Sequence, residues 1–142
     1  MKKLLALALC ALTLVFACAA AMAVLDVIRD EGLQENARVV GAYAREGLAK
    51  LAEKYDWIGD VRGYGLFFGA EIVPDRQAKT PAPAYTTRVA NEMRRRGVLM
   101  NKLGIHYNTL KIRPPMPFST ENADLMLETL DGVLADLGPA QD

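Results

Sequence analysis

Histidine and cysteine are almost missing from this chain. A single histidine, His106, and two cysteines, Cys10 and Cys18, leave no Cys/His cluster with metal-ligand spacing, which excludes a zinc-finger type of site. The cysteines both lie in one apolar, helix-like stretch, where they are poorly placed to bridge each other. His106 sits in the polar turn "LGIHYN" and reads as an exposed loop residue rather than a base. Net charge is missing too: 17 Lys and Arg balance 17 Asp and Glu. That balance argues against a nucleic-acid partner, which would call for a net basic face. The one dense basic cluster, Arg94-Arg95-Arg96, reads as the solvated last turn of a helix, where cations complement the helix dipole. There is no internal repeat.

Apolar residues, in contrast, are plentiful. They make up 51% of 142 residues, enough for one packed domain. They are concentrated at the start, "MKKLLALALCALTLVFACAAAMA". Two lysines precede a run of apolar and small residues broken only by Thr13, the layout of an export signal. "AMA" at 21–23 fits a cleavage site, and "VFAC" at 15–18 is an imperfect lipoprotein-type site because Phe16 is bulky. About 20 apolar residues also suffice to span a bilayer, and a core helix has the same composition. Residues 1–16 are therefore set apart as a signal-like or anchor segment, and 17–142 as the domain.

Beyond the run, Ala21, Val24, Leu25 and Ile28 continue a helical pattern, with Gly32 as its stop. A second helix is predicted from about Leu33 to Tyr55, its buried stripe marked by Leu33, Ala37, Val40, Ala44, Leu48 and Leu51. In "DWIGDVRGYGLFFGAEIV" the period changes to two: Leu66, Phe68, Ala70 and Ile72 alternate with Phe67, Gly69, Glu71 and Val73, which predicts a strand. Gly63 and Gly65 mark a bend or a close approach of backbone. A surface loop, a short helix closed by Gly97, the brief strand "VLMNKL" and the strand "TLKIR" follow. Ser119 caps a last helix, with Glu121 in its first turn. The order helix, helix, strand, helix, strand, strand, helix predicts an α+β fold: a small, mainly antiparallel sheet with helices packed on one face.

Lys111 and Arg113 then stand out. Two residues apart on one strand, they point the same way. Pro114, Pro115 and Pro117 end the strand behind them. Such a pair either solvates an open face or grips an anion.

From about Ala17 to Leu137 the chain resembles the C-terminal small domain of class III aminotransferases, pyridoxal-phosphate enzymes of fold type I. The stretches that carry the resemblance are "ACAAAMAVLDVIRDEGLQENA", "IGDVRGYGLFFGAEIV", "RRRGVLMNKLG" and "NTLKIRPPMPFSTENADLMLETLDGVL". The resemblance implies transfer of an amino group from an amine or amino acid to a keto acid or aldehyde. It implies a Schiff-base lysine, a pyridine-nitrogen acid and a phosphate cradle in a large domain that precedes this region. None of the seven lysines here stands at the Schiff-base position, so the chain alone is expected to bind no pyridoxal phosphate and to be inactive.

The small domain is expected to supply one wall of the substrate pocket. Many members place an arginine three residues before the Pro-Pro pair; here that place is Lys111, and the arginine is Arg113. "NTLKIRPPM" is most similar to the branch containing phospho-lyases of amino phosphates. Lys111 thereby becomes the better anion contact, a point charge where arginine offers a fork. Arg62, in "DVRGYGL", maps to the pocket mouth. The expected partners are an aminotransferase large domain or a second copy of the chain, and a small amino or keto substrate. Because the resemblance begins inside the signal-like run, the expectation is a gene fragment, cytoplasmic by family. The alternative is a non-catalytic binding module, exported or membrane-anchored through residues 4–23.

Overall fold

The computed structural model describes residues 2–141, with the side chains of residues 2 and 4–11 outside the described set. The cysteine pairing therefore turns on a side chain, Cys10, that is not described; Cys18 is exposed with a free thiol. The chain divides between Gln34 and Glu35 into two compact units.

The first unit is dominated by α1 (Lys2–Asp30). Its apolar residues surround the helix instead of forming one stripe. Leu12, Leu14, Val15 and Phe16 are exposed. The window Leu12–Asp30 has a mean hydropathy of 2.0 and is long and apolar enough to cross a membrane by length and composition. Gly32 follows at φ 62°, the left-handed stop its sequence position predicts.

The second unit contains the sheet. α2 (Leu33–Lys54) leads into β1 (Ile58–Tyr64) and β2 (Phe67–Ile72); then come α3 (Pro83–Arg95), β3 (Asn101–Leu103), β4 (Thr109–Ile112) and α4 (Thr120–Leu137). The strands lie in the order β1-β2-β4-β3, every neighbour antiparallel. This is the expected α+β architecture with one more strand. The stretch read as a single strand is a hairpin, with Tyr64 facing Phe67 across the two-residue turn Gly65-Leu66. β1 escapes sequence reasoning because it is an edge strand, with Ile58 as its only buried residue. Gly63, a bend in the sequence reading, lies within β1 at φ 144°; a Cβ there would sit 2.4 Å from the Phe67 carbonyl oxygen.

Val40, Ala44 and Leu48 of α2, Tyr85, Val89 and Met93 of α3, and Met126, Leu130 and Leu134 of α4 pack on Phe68, Ala70, Ile72, Leu110 and Ile112. All the helices of this core therefore cover one sheet face. Arg76, a residue of the surface loop, takes up carbonyls at the end of α2 and in the turn that leads into β1. Its Nε donates to the Asp56 and Ile58 carbonyls at 3.0 and 3.2 Å, and its Nη2 donates to that of Ala52. At the start of α4, the Ser119 hydroxyl accepts from the Asn122 N–H at 3.3 Å, and the Asn122 side chain accepts from the Ser119 N–H in return. Ser119→Ala should cost about 1 kcal/mol, read as a lower urea midpoint at unchanged slope.

Candidate functional site

The sheet face away from the helices presents two of the candidate residues, Arg62 and Lys111. In an antiparallel sheet, residues paired across strands share a face. Arg62 pairs with Gly69, Gly69 with Lys111, and Lys111 with Asn101, so one row crosses all four strands on the open face. The row is notched at its middle. A Cβ on Gly69 would meet the Leu110 carbonyl oxygen at 2.5 Å, so no side chain fits between Arg62 and Lys111. Both cations line the resulting hollow of about 380 Å³, together with Tyr64, Phe67, Leu103 and Thr109.

The two cations differ in their electrostatics. Arg62 Nη1 lies 2.6 Å from Asp60 and 2.7 Å from Glu71, so its charge is already matched. The Arg62 hydrogen bond holds the Glu71 carboxyl below its ordinary range and outweighs the opposing effect of burial; Asn108 adds a second, weaker donor. A depressed carboxylate stabilises the fold above its unfolded pKa, about 4.3. That stability is lost as pH falls through the folded value. Glu71→Gln should therefore give a melting temperature that depends less on pH between about pH 5 and about pH 3. The two curves should converge in acid; parallel curves would show that the pair contributes nothing.

Lys111 forms no ion pair among the described residues, and neither does Arg113. Lys111 is half-buried on β4, and Arg113 is exposed one residue beyond it. The structure brings these two together: both line a groove against α3 and a second one beside Pro114 and Pro115. Arg62 lines neither of these and shares only the central hollow with Lys111. His106 is exposed in its turn. Of the arginine run, Arg94 and Arg95 end α3 as expected; Arg95 pairs with Glu92 and Arg96 with Asp136. Sequence reasoning missed the notch at Gly69, the carboxylates facing Arg62, and the place of Arg94 in the groove. Strand alternation alone would have put Gly69 and Glu71 on one face, but the cross-strand register that brings them to Arg62 is not readable from one strand.

The comparisons with known proteins agree with this geometry. The family model "Aminotransferase class-III" matches residues 15–134, and the chain belongs to that family. Alanine–glyoxylate aminotransferase 2 homolog 2, mitochondrial, of Arabidopsis thaliana is 48% identical over 112 residues, 79% of this chain and 24% of the relative. A phospholyase from Arthrobacter solved with phosphoethanolamine superposes with a TM-score of 0.80 at 42% identity, over 84% of this chain and 28% of that one. An amine transaminase from an uncultivated Pseudomonas species, in its pyridoxal-phosphate-bound form, gives 0.78 at 40% identity, over 86% and 28%. The chain thus spans about a quarter of the length of these relatives.

Pyridoxal phosphate needs an amine for its aldehyde, an acid for its ring nitrogen and a cradle for its phosphate, all held together. The grooves lined by Lys102 and Lys111 do not bring all three together. Lys50 pairs with Glu46, and Lys54 pairs with Asp131, a contact that raises the lysine pKa and keeps it charged. The grooves at Lys102 and Lys111 contain no carboxylate.

Proposed function

We propose that this chain forms the substrate-facing wall of a class III aminotransferase pocket, and that the cofactor-holding half comes from a large domain. What supports the reading most is the uncovered sheet face, where Lys111 and Arg113 stand without carboxylate partners on a chain spanning about a quarter of its relatives. In this role Lys111 holds the negatively charged end of an amino or keto substrate, and Arg113 reinforces it from the strand end. Arg62, tied to Asp60 and Glu71, shapes the mouth and does not grip the substrate. A phospho-lyase reaction on an amino phosphate uses the same wall.

The test is reconstitution. The full chain, alone and mixed with the large-domain polypeptide of a relative, is assayed for complex formation by light scattering and for amino-group transfer. Activity should appear only in the mixture. Lys111→Met should lower it roughly tenfold to a hundredfold, the range expected for loss of a charge-assisted contact. Turnover by the chain alone, or a stable monomer that never associates, would overturn the reading.

A membrane-anchored or exported binding module is favoured by one observation, the unburied apolar window Leu12–Asp30. Cell fractionation with N-terminal sequencing separates the two. An intact chain outside the membrane fraction supports the aminotransferase wall. A membrane-bound chain, or one trimmed near residue 24, supports the module.

A further inference from the structure

The two edges of the sheet are finished differently. At one edge β3 has only three residues, carries Lys102, and has the Lys102 N–H already bonded to Asn101 Oδ1 at 2.8 Å. Short length and lysine are devices by which natural sheets keep another chain off an edge, and the filled amide adds a third. At the other edge β1 has seven residues, no lysine and no proline, and Gly59, Asp60, Arg62 and Gly63 are exposed. Its free hydrogen-bonding groups follow from the register. Tyr64 and Phe67 flank a two-residue turn, so they bond each other; pairs then alternate, and Arg62–Gly69 and Asp60–Glu71 are bonded pairs too. Val61 and Gly63 therefore aim N–H and C=O out of the sheet, and no turn or loop backbone bonds them among the described residues. Gly59 is the extra residue of a bulge between Ile58 and Asp60 and stands outside the ladder.

We infer that this edge pairs with the same edge of a second copy of the chain, antiparallel about a two-fold axis at Val61, so that two four-stranded sheets become one continuous sheet. In that register Val61 faces its own counterpart and Gly63 faces the second copy's Gly59. Both pairs set free backbone groups opposite free backbone groups. The charges select this register. Asp60 and Arg62 lie two residues apart on the open face, with opposite sign. Antiparallel pairing centred on Val61 sets each Asp60 against an Arg62, whereas parallel pairing in register would set like against like. Glycine at 59 and 63 leaves no side chain to hold the two backbones apart. Two effects limit the strength. The bulge twists the strand and confines pairing to residues 59–63. Arg62 is already matched within its own chain, so the charges fix direction more than they add affinity. The interface is of the small, transient kind, with dimers expected between about 10 μM and about 1 mM. The inference goes beyond the aminotransferase wall and does not rest on it, since it needs neither a large domain nor a substrate.

Amide hydrogen exchange on the full chain in a mild non-ionic detergent, read residue by residue at low and high protein concentration, tests it. The Val61 and Gly63 amides should exchange fast in dilute chain and slow roughly tenfold in concentrated chain. The Arg62 amide, bonded within the sheet, should not change with concentration. Sedimentation on the same samples gives the association constant. Asp60→Arg alone and Arg62→Asp alone should each weaken self-association roughly tenfold, because two cross-strand pairs per dimer become like-charged. An equimolar mixture of the two should associate at least as well as the unaltered chain, a rescue that misfolding of a variant would not produce. Three results would overturn the proposal: a chain still monomeric at about 1 mM, association that leaves the Val61 amide unprotected, or two folded variants whose mixture is no better than either. An unprotected edge on an associating chain leaves the aminotransferase wall standing, because reconstitution with a large domain does not use it.

Discussion

Gly41→Ala should be among the most damaging single-methyl changes in the second unit, costing about 3 kcal/mol in chemical denaturation. Gly41 lies inside α2, where replacing glycine by alanine ordinarily gains about 1 kcal/mol in helix propensity. Here the added carbon would sit 2.0 Å from the carbonyl oxygen of Gly65, at the turn of the β1–β2 hairpin. A backbone carbonyl cannot rotate aside as a side chain can. This one is also held from α2, because Arg45 Nη1 donates to it at 3.1 Å. The hairpin must lift off the helix, and the buried Leu66 lifts with it. Gly47, in the same helix, is the control. Its added carbon would meet the Leu127 Cδ1 methyl at 2.2 Å, the free end of a flexible side chain. Gly47→Ala should therefore be close to neutral, and an equal loss at both positions would refute the backbone argument.

Leu48→Ala is the second large effect. Leu48 is fully buried on the core-facing side of α2. Its truncation removes transfer energy and leaves a cavity in a sheet–helix interface, at a cost of about 2–5 kcal/mol. For a unit of this size that lowers the melting temperature by on the order of 10 °C. Leu125, on α4, is 58% exposed, and Leu125→Ala should stay within about 0.5 kcal/mol. Similar losses for the two leucines would mean that the core has been misplaced.

Leu48 was readable in the sequence because the 3.6-residue period of α2 is strong, and the same holds for Ala123, Met126, Leu130 and Leu134 on α4. β1 was not readable. Its inward positions include Gly63, which offers no side chain, and Val61, which is only partly buried, so a period of two had almost nothing to mark it. The same contrast holds at the site. That Lys111 and Arg113 face one way follows from strand geometry. Which cations find partners is not readable from the sequence, because pairs such as Lys54 with Asp131 and Arg96 with Asp136 join residues far apart in the chain and exist only once the helices have packed.

The gap at Gly69 has a consequence for anything that settles on the open face. At its centre a visitor touches bare peptide, and the amide groups there are already committed to neighbouring strands. That patch can offer close contact but no directional bond. Selectivity must come from the rim, and variation among relatives that alters preference should fall on the flanking rows and leave this floor alone.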